Sequence, residues 1–568
     1  MKTTTQRDSA GLSRRGFLRL TGSAACTLGL GALASATCLG APQTALATVV
    51  GDQTPLTDEE IEAALSAGKI KTEFPDDGIA TFAAGNYAVR TIAGASRYET
   101  SAAQARYAFP SSTWAIVASG AGYADSICAA GLAGALACPI LLTEPAALSS
   151  CTADALRAMG ASNVILLGSQ TVASAQVEQD LTSLVGAAGS VERVWGPDRY
   201  ATQMAVYEYG QKHGLWTGDT AVVANATGFA DALSISPVSY KLKAPVFYVD
   251  ASTNLPAEQE KAIRSCGKSK FLITGDTVVM SSAVEKLLAS LGSVVRLGGS
   301  TRYETSRKIA SYAVSNLGMS WNGVAFTSGA APYDALGGGP VQGKENAVLC
   351  LMEEDNFLYA PSLPFSSRPS SMKFFGDKAI YSSAFKTRCA IQAGFALSDI
   401  EGLRVYVDAG HGGSDPGAQG SGYSEDKLTA ELASKVGSEL DALGISNYVN
   451  LSGNHYKLRH PEAKAMDCGA FVSIHFNSGG GTGTESYVHS LNSAAGSKTL
   501  QASTHKALVG ALGLTDRGTK SERFAVVSGP LPSVLLEICF IDRASDMSTY
   551  QSRKDGVAAA IARGIAEA

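Results

Sequence analysis

The sequence predicts an α/β protein made of several parallel-sheet units, on three observations. Short apolar runs of strand length alternate with Ala- and Leu-rich stretches of helical length, the pattern of βαβ units. One set of markers recurs three times at a spacing of about 103 residues, so each copy is a small domain and not a turn of a solenoid. Near the C-terminus, two apolar strands each run into a histidine, His411 and His475, and a third carries Glu537 in its middle. At roughly 150 residues per domain, 568 residues predict roughly three to five domains. A chain that is 45% hydrophobic and 17% charged forms cores and is not disordered. Its net charge of −5 gives no basic footprint, so nucleic acid is not expected as a partner.

The first stretch, 1–47, reads as an export signal. Ser13-Arg14-Arg15-Gly16-Phe17-Leu18 is a twin-arginine pattern, and a weakly apolar run from Leu20 to Leu39 follows it. Ala45-Leu46-Ala47 offers a cleavage site that leaves Thr48 as the mature start. No other run of about 18 apolar residues occurs, so no membrane span is expected in the mature chain. Of ten cysteines, Cys26 and Cys38 fall in the signal. The other eight form no C-x-x-C pair and read as buried free thiols, though export permits disulfides. Residues 48–88 read as a linker or accessory segment with a helix over Leu56 to Ala67, capped by Thr57 with Glu60 three residues on and broken at Pro75-Asp76-Asp77-Gly78.

The repeats are expected at 89–192, 193–295 and 296–397. Arg90-x-x-x-Gly94-x-x-Arg97-Tyr98-Glu99-Thr100 returns, one residue shorter before the glycine, from Arg193 as far as Thr202 and again from Arg296 as far as Thr305. The markers Tyr123-Ala124-Asp125, Phe229-Ala230-Asp231 and Tyr333-Asp334-Ala335 keep step, each after an apolar strand. Two readings of the repeated arginines stand. Arg97, Arg199 and Arg302 meet phosphate or carboxylate groups of a polymer, which suits a guanidinium fork. Alternatively each pairs with an Asp or Glu of its own or a neighbouring copy and locks the three together, the reading favoured here. Three weak tethered sites would in the first case raise avidity.

After a short polar joint near Ala396 to Gly402, the last unit spans 402–568. Its first strand, from Arg404, runs into His411 and the pair Gly412-Gly413. Glu425, fourteen residues after His411, opens a helix whose apolar stripe is Leu428, Leu432, Val436, Leu440 and Leu443, closed by Gly444. In an open α/β sheet, ligands sit beyond the carboxyl ends of the strands. If the strands before His411 and His475 are neighbours, two imidazoles share one edge, and Glu425 completes a His₂Glu set with an open position, the description of a catalytic zinc site. Glu537, a lone carboxylate in an apolar strand, is the natural acid/base. Asp408 and Asp415 flank the first histidine, and either suits the role of hydrogen-bond partner to it. His213, His455, His460, His489 and His505 read as exposed loop residues.

On the motifs VDAGHGGSDPGA, GYSEDKL, SIHFNS, DRGTK and PSVLLEICF, the last ~165 residues resemble the zinc-dependent N-acetylmuramoyl-L-alanine amidases of the amidase type 3 family. The resemblance implies zinc held by His411, Glu425 and His475, Glu537 as acid/base, and Asn477 and Arg517 in the substrate cleft. The three-copy region resembles the type 2 cell-wall-binding repeats of Gram-positive surface proteins. That implies three Rossmann-like domains in a pseudo-threefold arrangement and binding to an anionic wall polymer. The chain departs from these families at Ala201, where the other copies have Glu, at Gly337-Gly338-Gly339, in the segment Asn450 to His460, and at Cys539, where the amidases have Gly. The combined expectation is a secreted, wall-associated, monomeric peptidoglycan amidase. A non-catalytic adhesin or wall-structural protein and a zinc peptidase of the stem peptide are the rival readings.

Overall fold

The computed structural model describes residues 53–74, 87–250, 253–354 and 368–568. The export signal expected over 1–47 lies outside them. Among the described residues no helix is long and apolar enough to cross a membrane.

The chain enters the repeats through β1 (Val89–Ile92). Strands β2 (Trp114–Ser119), β3 (Ile140–Thr143), β4 (Asn163–Leu167) and β5 (Ser190–Val194) form a parallel sheet in the order β3-β2-β4-β5. Strands β6 (Thr220–Asn225), β7 (Val246–Val249), β8 (Lys270–Thr274) and β9 (Ser293–Leu297) repeat it as β7-β6-β8-β9. The third sheet contains β10 (Ser320–Ser328), β11 (Ala347–Met352) and β12 (Met372–Phe375), and β1 takes its fourth place beside β12. The strand that leads into each copy of the motif, β1, β5 or β9, therefore ends a sheet instead of opening one. The cuts expected at 192/193 and 295/296 run through β5 and β9, and the third unit is incomplete without residues 89–92. The central strands are apolar throughout because helices cover both faces of each sheet.

The recurring motif is largely a helix start. Ser96, Asp198 and Thr301 cap the helices that begin at Arg97, Arg199 and Arg302, each accepting from a backbone N–H of the first turn. Thr100, Thr202 and Thr305 accept from the N–H of Gly94, Gly196 and Gly299 through Oγ1, at 3.0, 3.1 and 2.9 Å. The helices Ala130–Ala135, Ala230–Leu242 and Gly338–Lys344 touch one another pairwise. At Gly131 and Gly134 a Cβ would lie 1.9 Å from the carbonyl oxygens of Ala244 and Tyr240, so the helix approach requires glycine there.

The joint is stitched down on both sides. Glu401 N–H donates to Val89 O at 2.9 Å, and Leu397 N–H donates to Ala568 O at 3.1 Å. The last unit holds β13 (Arg404–Ala409), the hairpin β14 (Gln419–Gly420) and β15 (Tyr423–Ser424), then β16 (Ser446–Asn450), β17 (Ala470–Asn477), β18 (Thr484–His489), β19 (Asp516–Glu522) and β20 (Ser533–Phe540). Its main sheet runs β16-β13-β17-β20-β18-β19, with β18 antiparallel to β20. The helix Glu425–Ala442 buries Leu428, Leu432, Val436 and Leu440. Leu443, predicted to share that stripe, lies at the helix end and is 48% exposed. All eight cysteines among the described residues are free, and Cys151 alone of them is not fully buried.

Candidate metal centre and active site

Strands β13, β17 and β20 are adjacent, and this order brings the predicted residues together. His411 follows β13 with φ +64, a left-handed backbone that a non-glycine residue seldom adopts. His475 stands on β17 opposite Glu537 on β20. Glu425 is the first residue of its helix, tied to the same edge by Thr429 Oγ1, which donates to Gly410 O at 2.7 Å.

Glu425 is the centre of the cluster. Its Oε2 lies 3.2 Å from His411 Nε2, and its Oε1 lies 3.1 Å from His475 Nδ1. Backbone N–H groups of Ala418 and Phe476 donate to these two oxygens at 2.8 and 2.9 Å. One ligand atom from each of His411, Glu425 and His475 falls within 4.8 Å of the others. Burial opposes charge on Glu425, but the two imidazoles outweigh it and hold its carboxyl well below the usual range. Burial likewise opposes charge on His411, yet Glu425 and Asp415 raise it to about 9. Asp415 is the flanking aspartate that meets the ring, 2.8 Å from His411 Nδ1.

Asp408 does something else. It is fully buried and accepts from Arg459 Nη1 at 3.1 Å, Ser473 Oγ at 2.7 Å and Asn450 Nδ2 at 3.2 Å. Arg459 in turn donates to the backbone oxygens of Ala409 and His411 at 2.9 and 2.7 Å, fixing the turn that carries the histidine. Arg459 has no sequence signal, because its partner lies 51 residues away.

Glu537 Oε2 is buried without a hydrogen-bond partner. Burial, followed by the charges of Glu425 and Glu485, pushes its carboxyl well above the ordinary range. It lines a cavity of about 680 Å³ together with His411, Glu425 and His475.

Asn477 and Arg517, predicted for the substrate cleft, do not line this cavity. Both are held by Glu485, a buried residue paired with Glu537 across β18 and β20. Asn477 Nδ2 donates to Glu485 Oε1 at 2.6 Å, and Arg517 Nε donates to Oε2 at 2.7 Å. A buried carboxylate recruits these donors because it would otherwise be desolvated and unpaired. Three of the five remaining histidines of the sequence are buried instead of exposed. His460 meets Ser533, His505 bridges Ser486 and Asp516, and His489 accepts from backbone N–H groups.

The repeated arginines form a cyclic set of contacts. Arg97 lies 3.6 Å from the Tyr333 ring centroid, Arg199 5.6 Å from Tyr123, and Arg302 5.5 Å from Phe229. Each also donates to a carbonyl of its own copy, at Gly120, Ala226 and Gly329. The expected carboxylate partner is present for two of them, since Arg199 and Arg302 lower the proton affinity of Asp125 and Asp231 in the preceding copy, and the aromatic faces of the recurring markers and the carbonyls are added to it.

Two family models match this chain: N-acetylmuramoyl-L-alanine amidase over residues 405–567, and cell wall binding domain 2 over 91–178, 193–285 and 296–386. The N-acetylmuramoyl-L-alanine amidase LytC of Bacillus subtilis (strain 168) is 30% identical over 486 residues, which cover 84% of this chain and 93% of the relative. The chain belongs to the N-acetylmuramoyl-L-alanine amidase family. Among solved structures, Cwp6 from Clostridium difficile matches with a TM-score of 0.49 and 23% identity, covering 84% of this chain and 79% of that one. The catalytic domain of CwlV, an N-acetylmuramoyl-L-alanine amidase from Bacillus (Paenibacillus) polymyxa var. colistinus, matches with a TM-score of 0.27 and 32% identity, covering 29% of this chain and 96% of that one. This amidase is thus a peptidoglycan hydrolase associated with the cell wall through its repeats.

Proposed function

We propose that the amidase acts through a zinc ion that His411, Glu425 and His475 would hold at the sheet edge. The donor set fits that ion, two imidazoles and one carboxylate being a common catalytic combination once the metal displaces the imidazole proton. Bound there, zinc would polarise the scissile carbonyl and make a water acidic near neutral pH. The observation that carries the reading is the orphaned Oε2 of Glu537 beside the same cavity. In its ionised form Glu537 would take a proton from the attacking water and, so protonated, return it to the leaving amine of L-alanine. Asp415 holds the His411 ring, and Arg459 holds its backbone.

By this reading the amidase is exported, residues 402–568 carry the chemistry, and the repeats hold an anionic wall polymer. Arg97, Arg199 and Arg302 clamp the copies together and are not the polymer contacts.

The test uses the full chain. Glu537→Gln should keep its zinc by elemental analysis yet lose about 10²–10⁴-fold in release of N-terminal alanine from muropeptides. Undiminished turnover would remove Glu537 from the mechanism, and cleavage between two amino acids would favour a peptidase.

A further inference from the structure

The segment before the repeats packs on the last unit. Its helix Asp58–Ser66 carries the expected reciprocal cap between Thr57 and Glu60. Ile70 is buried, and Phe74 joins the apolar cluster of Tyr406, Phe471 and Phe524, with the Arg404 guanidinium 4.8 Å from its centroid. Lys71 N–H donates to the buried Glu462 at 3.1 Å, and Lys71 Nζ donates to Tyr448 Oη. At the other end, Gln53 Oε1 accepts from Ala525 N–H at 3.0 Å.

Both landing places are walls of the cavity. The helix Tyr456–Ala465 lends it Tyr456 and Arg459, and the turn Ala525–Val527 lends it Val526. Gln53 lines the cavity as well, and every other lining residue falls between His411 and Glu537. Ordering a strap of this length costs about 1–2 kcal/mol of backbone entropy per residue, so its contacts at the cavity mouth are a specified feature of the fold. The strap does not plug the site, since the cavity of about 680 Å³ remains with Gln53 in its wall.

We propose that Gln53 is a substrate-contacting residue of the amidase, and that the rest of the strap, up to residue 74, serves to hold it in the active-site wall from outside the catalytic unit. A primary amide both donates and accepts, which suits the amide and carbonyl groups of a glycan-linked peptide. The inference rests on the reading that the His411, Glu425 and His475 cluster is the reaction centre.

The experiment measures full-chain enzyme on a soluble N-acetylmuramoyl peptide, so that wall binding does not enter. Gln53→Ala should raise KM about three- to tenfold, with kcat within about twofold and zinc content unchanged. The pair Lys71→Glu and Phe74→Ala, which releases the strap, should do the same. An unchanged KM in Gln53→Ala overturns the proposal, and a higher kcat/KM overturns it in favour of an obstructing strap. If Glu537→Gln is inactive while Gln53→Ala matches wild type, this inference fails and the site reading stands. If Glu537→Gln stays active, the site reading fails and takes this inference with it.

Discussion

The repeats and the last unit both put polar groups at the carboxyl ends of parallel strands, yet they use them oppositely. In the repeats, each marker arginine is absorbed by an aromatic face of another copy and a carbonyl of its own. In the last unit, Glu425, His411 and His475 converge on one point, and Glu537 beside them keeps an oxygen without a partner. A strand-end polar group whose bonds are all met inside the protein holds the fold together. One left with an unmet, buried valence is available for chemistry.

The largest expected effect tests the scaffold under the site. Asp408→Asn leaves Arg459 buried without its counter-charge, which should cost about 3–5 kcal/mol in urea unfolding and loosen the turn carrying His411. A loss of activity with unchanged stability would make Asp408 a participant in the chemistry and blur the contrast. Next comes Arg199→Ala, which removes the bonds to Ala226 O and Tyr123 Oη, the contact with the Tyr123 ring and a charge acting on Asp125, and should cost about 1–2 kcal/mol. Wall binding and hydrolysis of a soluble substrate should both stay within about twofold of wild type. Wall binding abolished at an unchanged unfolding midpoint would return the arginine to the polymer.

The smallest effect is a pH dependence of the repeats. Burial raises Asp125 and Asp231 from an ordinary 3.8 to about 6. Between these values the folded state holds more protons than the unfolded one, so stability is greatest below about pH 4 on this account and falls as pH rises through 6. The two together should contribute about 2 kcal/mol after allowing for partial exposure. Asp125→Asn with Asp231→Asn should flatten that slope in denaturant titrations from pH 4 to 7, and a slope left intact would place its source elsewhere.

The alternation of apolar strands with helical stretches, the triplication, the helix-start character of Glu425 and the strand-end position of both histidines are local patterns, and local patterns are legible along a chain. So are four of the candidate site residues, because His411 and His475 end apolar strands, Glu537 interrupts one and Glu425 opens an amphipathic helix. What was not legible depends on partners far apart in sequence. Which aspartate serves His411 was decided by Arg459 claiming Asp408, 51 residues away. That Asn477 and Arg517 both bond Glu485 could not be read either, because it needs the pairing of β18 with β20. The place of β1 beside β12, and of Gln53 beside Ala525 at a separation of 472 residues, follows from the packing of whole units. Periodicity and residue type are properties of short segments and decide what each can bury. Which buried charge meets which partner is a property of the assembled fold, where a desolvated group takes the nearest complement whatever its distance along the chain.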